Sequence, residues 1–187
     1  KDTEQKRRKM RPATVVTQAG RAPFEHFGFV NPPIYRGSTV LFPTVADLES
    51  LNQPYTYGTK GTPTTRALEQ AWSDIAGAQD TVLVPSGLAA IALALLTATK
   101  AGAHLLVVDT AYGPTRQFCD GFLSRFGVTT QYYAPAIGAG ISALKSPETT
   151  AILAESPGSL SMEIQDVPAI AAAAREKGDC LILDNTW

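Results

Sequence analysis

The chain has 187 residues, of which 44% are hydrophobic and 18% charged, and its formal net charge is −1. That length allows one domain with a proper core. The near-neutral balance gives no reason to expect a nucleic acid or an anionic membrane as partner.

Along the chain, the opening KDTEQKRRKMR is the one basic run and reads as a solvated terminus. Residues 1 to 63 then carry Pro12, Pro23, Pro32, Pro33, Pro43, Pro54 and Pro63 with little periodicity. Proline removes a donor and fixes φ, so an arm of turns and extended pieces is expected, lying across another surface. From Thr64 the texture changes. TTRALEQAWSDIAGA puts Leu68, Ala71, Trp72, Ile75 and Ala76 on one helical face, with a threonine available as N-cap. TVLVP reads as a strand, GLAAIALALLTATKAG as a helix and HLLVVD as a strand. PTRQFCDGFLSRFG reads as a helix with Pro114 in its first turn. VTTQYYAP is a strand, with a short turn or helix near Ile141 after it. TAILAE is a strand, DVPAIAAAAREKG a helix closed by Gly178, and CLILD the last strand. This alternation predicts an α/β fold of mainly parallel strands, buried on both faces by flanking helices.

The run LAAIALALLTATKAG is shorter than the roughly 20 residues that span a bilayer and is interrupted by Thr97, Thr99 and Lys100. No membrane role is expected, and the cytoplasm is the expected location. Cys119 and Cys180 form no CxxC pair and read as reduced core thiols. His26 and His104 have no partner at metal-ligand spacing, so no metal is expected.

Open α/β sheets bind ligands beyond the carboxyl ends of their strands. Four fragments fall there: PSGLAA, DTAYGPT, ESPGS and DNTW. In the first, the N–H groups of Gly87 and Leu88 would open a helix N-terminus, an anion site in outline, although many βα turns use Ser-Gly only to turn. Tyr112 is either a core aromatic or a stacking platform for a flat ligand. Asp184 either caps a following turn or faces a heteroaromatic cation. IGAGISA matches GxGxxA with Glu155 ending the next strand, the outline of a dinucleotide fingerprint. Pro135 and Pro147 leave only about one turn of helix there, too little for a crossover, which speaks against a dinucleotide.

Those fragments, in this order, resemble the cysteine/methionine-metabolism group of pyridoxal-phosphate (PLP) enzymes. The resemblance runs from Tyr57 to Trp187 and extends to the arm NPPIYRGSTVLFPT. It is closest to the bacterial cystathionine β-lyase branch in DTAYGPTRQFCDGFLSRFGVTTQYYAPAIGAGI and ESPGSLSMEIQDVPAI. It implies the aspartate-aminotransferase-like fold (fold type I), with residues 64–187 as the first part of the PLP-binding large domain. The remainder of that domain, the Schiff-base lysine and a carboxyl-terminal domain would then lie beyond Trp187.

The resemblance also assigns roles. Ser86, Gly87 and Leu88 would cradle the phosphate, Tyr112 would stack on the pyridine ring, and Asp184 would hold the ring nitrogen protonated. Tyr57 would reach the phosphate of a neighbouring subunit's cofactor, so residues 1–63 would pack on a partner chain in a homo-oligomer, a dimer of active-site-sharing pairs. Two positions depart from the family's habit. Thr59 stands where an arginine is usual, which leaves a hydroxyl without a charge and Lys60 as the nearest compensating cation. Ser159 replaces an asparagine, as the β-lyase branch allows. The implied activity is β-elimination of the small amino-acid substrate L-cystathionine to homocysteine, pyruvate and ammonia. The alternatives are a γ-lyase, γ-synthase or sulfhydrylase of the same family, or a non-catalytic regulator on the same fold.

Overall fold

The structure, a computed structural model, describes residues 10–187. The basic stretch up to Lys9 lies outside the described residues. The chain divides into two compact units, Lys1–Leu83 and Val84–Trp187.

In the first unit, α1 (Pro12–Gln18) packs on α3 (Pro63–Ala76), and α2 (Val45–Ser50) lies between them in sequence. Short 3₁₀ turns at Pro23–His26 and Gly58–Lys60 punctuate the proline-rich segment. The threonine expected as cap of α3 is Thr62, whose hydroxyl accepts from Thr65 N–H while the Thr65 hydroxyl takes the Thr62 N–H. That reciprocal box satisfies two donors that the first turn would otherwise leave open. The apolar face of α3 is where the sequence puts it, yet Leu68, Trp72 and Ile75 are exposed, as are Phe24, Phe27, Ile34 and Leu41. Among the described residues, this unit therefore has apolar surface without an internal core to receive it.

The second unit holds a four-stranded parallel sheet in the order β2-β1-β3-β4. Its strands are β1 (His104–Val108), β2 (Thr129–Tyr133), β3 (Thr149–Glu155) and β4 (Cys180–Asp184). The inner strands are aliphatic and almost wholly buried, which is what covering both faces demands. Leu105, Leu106, Val107, Ile152 and Leu153 form the core with Leu95 of α4 (Gly87–Ala98) and Ile170 of α6 (Val167–Lys177). Both helices pack on β3 and β4. Asp166 caps α6 at its start, and Gly178 closes it at φ 74°, a conformation that costs a glycine nothing.

Three local expectations fail. Thr81–Pro85 forms no strand, because it joins no ladder among the described residues, and Val82 and Leu83 are exposed. The helix after β1 is not continuous: α5 (Gly113–Gln117) gives way to a π turn at Phe118–Phe122 and a 3₁₀ turn at Leu123–Phe126. Cys180 is exposed and not a core thiol, since β4 pairs with β3 alone among the described residues and its outer side is open; Cys119 is buried as expected. The segment around Ile141 is a kinked 3₁₀ stretch, Pro135–Leu144, broken at Gly138.

Candidate functional site

The strand order reverses between β1 and β3. From β1 the chain goes outward to β2, then crosses back to lay β3 on the other side of β1. A crevice at the carboxyl ends of β1 and β3 follows from that topology. The loops that leave these two ends, residues 109–112 and 156–159, are fastened to each other. Ser159 N–H donates to the Thr110 carbonyl at 2.8 Å, and Tyr112 N–H donates to Glu155 Oε2 at 2.7 Å. Gly158 is buried against Thr110: an added Cβ would overlap its Oγ1 and lie 2.7 Å from its Cβ. Only glycine lets the two loops close this far.

Helix α4 begins at the same end. Five residues connect Ala98 to the start of β1, so α4 runs opposite to the strands and its N-terminus lies at their carboxyl ends. Ser86 is the N-cap and accepts from Ala89 N–H at 3.2 Å. The N–H groups of Gly87 and Leu88 are the first two of the helix and have no intrahelical partner. A Cβ built on Gly87 would meet nothing within 4 Å, so the surface beside this turn is open. With the helix dipole behind them, the two N–H groups suit an anion such as a phosphate.

Tyr112 begins α5 as its N-cap and is half exposed. Asp184 ends β4. Its Oδ1 accepts from both Thr186 N–H (3.1 Å) and the Thr186 hydroxyl (2.6 Å), the capping role the sequence left open. Its Oδ2 has no partner among the described residues and is free to face a ligand. Unpaired helix-end donors, an exposed aromatic platform and a free carboxylate oxygen together fit a phosphate-bearing heteroaromatic cation.

Of the residues expected from sequence, Ser86, Gly87, Leu88, Tyr112, Ser159 and Asp184 thus share the carboxyl end of one sheet. Tyr57 and Thr59 belong to the other unit. There Tyr57 is exposed and caps the 3₁₀ turn, whose Gly58 N–H donates to the Ser38 carbonyl at 2.7 Å. A side chain on Gly58 would overlap the Gly37 carbonyl, so the YGTKG turn is nested tightly against its own unit. Among the described residues no cluster of three His, Cys, Asp or Glu could hold a metal, and no helix is long and apolar enough to cross a membrane.

Sequence reasoning missed the part played by Glu155, which it weighed only as the end of a fingerprint. Glu155 is buried and stands opposite Asp184 in the β3–β4 register. Burial pushes its carboxyl above the usual range, aided by the charge of Asp184 and opposed by the N–H groups of Tyr112 and Ser159. A folded-state value above the unfolded one means that the native fold favours the proton. The associated stability is present below the ordinary glutamate range of about pH 4.3 and is lost as pH rises through the raised value. At neutral pH the ionised form is therefore a cost. Glu155→Gln should leave the thermal midpoint of the apo-protein at pH 7 equal to or above that of wild type, an advantage that shrinks in melts near pH 4. A lower midpoint at pH 7 would show that the charge is needed for folding.

Residues 13–187 match the family of Cys/Met metabolism PLP-dependent enzymes. The chain belongs to this family. Its cofactor is accordingly pyridoxal 5′-phosphate, which the donor set above suits. A Rhizobium johnstonii protein named provisionally as a cystathionine β-lyase is 51% identical over 174 residues, 93% of this chain and 44% of that protein. Cystathionine β-lyase MetC of Escherichia coli is 40% identical over 181 residues, 93% of this chain and 46% of that protein. Among solved structures, cystathionine γ-lyase from Lactobacillus plantarum complexed with L-serine superposes with a TM-score of 0.86 at 28% identity, covering 94% of this chain and 45% of that one. The chain thus spans about half the length of the relatives it matches. The expected fold class, a PLP-enzyme large domain with a parallel sheet and flanking helices, is the one observed.

Proposed function

We propose that the full-length protein carrying this chain is a carbon–sulfur lyase acting on L-cystathionine by β-elimination, with homocysteine, pyruvate and ammonia as products. What supports the β assignment is the gradient of similarity: 35–51% identity to proteins with β-lyase names, against 33% to an L-alanine/L-glutamate racemase and 30% to an L-methionine γ-lyase.

In this reading the N–H groups of Gly87 and Leu88, with Ser86 at the cap, hold the cofactor phosphate. The Tyr112 ring covers one face of the pyridine, and Ser159 borders the same crevice. Asp184, through its free oxygen, keeps the ring nitrogen protonated. When bound, the cofactor supplies an electron sink for the substrate's α-carbon. This chain's residues supply orientation and a fixed charge. Tyr57 and Thr59 serve the phosphate of a neighbouring subunit, with Thr59 contributing a hydroxyl and Lys60 the nearest charge. The exposed apolar residues of the arm and of α3 then pack on that subunit in a homo-oligomer, a tetramer built from site-sharing pairs. The enzyme acts in the cytoplasm.

Product analysis decides the reaction. Incubated with L-cystathionine and PLP, the full-length protein should release pyruvate and homocysteine in equal amounts. Cysteine and 2-oxobutyrate would assign γ-elimination instead, and no product at all would favour a regulator on the same fold.

A further inference from the structure

The proposed function uses Tyr112 and Asp184 but leaves a buried polar chain beneath them without a task. Glu155 is 6% exposed, and its carboxylate holds Tyr112 N–H at 2.7 Å. The Glu155 carbonyl accepts from Gln165 Nε2 at 2.6 Å, and Gln165 N–H donates to Ser156 Oγ at 3.0 Å. Gln165 is itself 5% exposed. Its Oε1 lies 3.0 Å from the Tyr133 hydroxyl, which also reaches the Leu153 carbonyl at 3.1 Å. Tyr133 is buried, and burial pushes its phenol well above the usual range, so it stays a neutral donor. Four elements are thus tied in sequence: the end of β2, the end of β3, the 156–165 loop and the start of α5.

Tyr133 belongs to the hydrophobic core, whereas Glu155 and Gln165 are buried polar groups. Burial and the neighbouring charge of Asp184 both disfavour the ionised form of the Glu155 carboxylate. A group whose charge is disfavoured yet is enclosed and paired at a strand's carboxyl end has a different purpose. Its carboxylate accepts the backbone N–H of Tyr112 and also faces that of Ser159.

We propose that Glu155 is a positioning residue for the cofactor site: by holding Tyr112 N–H it fixes where the Tyr112 ring stands, and the Gln165–Tyr133 pair fixes Glu155. The proposal rests on the cofactor-site reading of Tyr112. A residue acting this way needs reach and an acceptor at its tip, and does not need its charge.

Three substitutions in the full-length protein separate these requirements. Glu155→Gln keeps the reach and one acceptor, Glu155→Asp keeps the charge and withdraws it by one methylene, and Glu155→Ala removes both. The readouts are the affinity of the apo-protein for PLP and the visible circular dichroism of the bound cofactor, which reports how asymmetrically it is held. The thermal midpoint of each apo-protein is measured beside them. Glu155→Asp and Glu155→Ala should bind PLP about tenfold more weakly, the loss expected when a buried N–H goes unpaired, with a diminished dichroic band. Glu155→Gln should restore both to near wild type. If Glu155→Ala fails to fold, Glu155→Asp decides.

Wild-type affinity and dichroism in Glu155→Asp would overturn the proposal, as would equal damage in Glu155→Gln. A fall in the apo-protein midpoint with cofactor binding intact would reduce Glu155 to packing and overturn it too. Tyr112→Ala is the control for the underlying reading. If it leaves PLP affinity and dichroism unchanged, Tyr112 does not face the cofactor and that reading falls. If Tyr112→Ala weakens binding and Glu155→Asp does not, only the positioning role falls.

Discussion

Replacing Asp184 by asparagine in the full-length protein is expected to lower turnover of L-cystathionine by about 10²–10³-fold or more, the range for loss of one preorganised electrostatic group. The asparagine is chosen because Asp184 has one task in this structure and a second in the proposed function. Oδ1 caps the turn through Thr186 N–H and its hydroxyl, and Oδ2 is free. Asparagine retains an acceptor for Thr186 but carries no charge to keep a ring nitrogen protonated. Asp184→Ala loses both, so it should match the asparagine variant in turnover and fall below it in thermal stability by about 1 kcal/mol, the worth of a local hydrogen bond. Near-normal turnover in Asp184→Asn would leave Asp184 only its capping role and would withdraw it from the cofactor.

The parts of this fold that were legible in the sequence are those governed by a single period. β1 and β3 are short aliphatic runs bounded by turn residues, and α4 and α6 have caps that can be read directly, Ser86 and Asp166. What failed depended on partners that local sequence does not name. TVLVP has the composition of a strand, but a strand exists only when another supplies its hydrogen bonds. The segment after β1 has helical spacing, yet Gly121 in its middle weakens helix continuation. There Phe118, Phe122 and Phe126 instead form a ladder with successive ring centroids 5.0 Å apart across the π and 3₁₀ turns. The candidate site shows the same division. Ser86 and Gly87 could be placed because they open a recognisable helix, and Tyr112 and Asp184 because they follow or end a recognisable strand. Glu155 could not, because its meaning lies in a bond to Tyr112, 43 positions earlier. The signal was present in ESPGS as an acidic residue inside the final position of an otherwise apolar strand. A carboxylate there must be paired or lost.

Lys145→Met is expected to destabilise the sheet unit by about 3–5 kcal/mol, while Lys145→Met combined with Asp179→Leu should recover most of that loss. The two side chains meet at 2.6 Å and are 1% and 5% exposed. Lys145 Nζ also donates to the Ala173 carbonyl at 2.6 Å, and Asp179 N–H returns to the Ala174 carbonyl at 3.0 Å. The pair therefore ties the end of the Pro135–Leu144 stretch to the end of α6, at the residue that precedes β4. Removing the lysine alone leaves a carboxylate in the interior with no counter-charge, and that desolvation sets the size of the effect. Removing both partners takes the penalty away with the attraction. Arg66 offers the contrast: its bridges to Glu69 and Asp80 lie at the surface, where water screens them, and Arg66→Met should cost far less than Lys145→Met. Hydrogen exchange of the β3 and β4 amides in the full-length protein measures the difference locally, without requiring the whole subunit to unfold in one step. Protection there should fall by about 10²- to 10⁴-fold in Lys145→Met and return in the double variant, following the same free energies. Unchanged protection in the single variant would mean that Asp179 is solvated or neutralised despite its enclosure. Equal loss in both variants would instead assign the stability to the attraction itself, making the buried pair a net stabiliser of the amino end of β4, the strand whose other end carries Asp184.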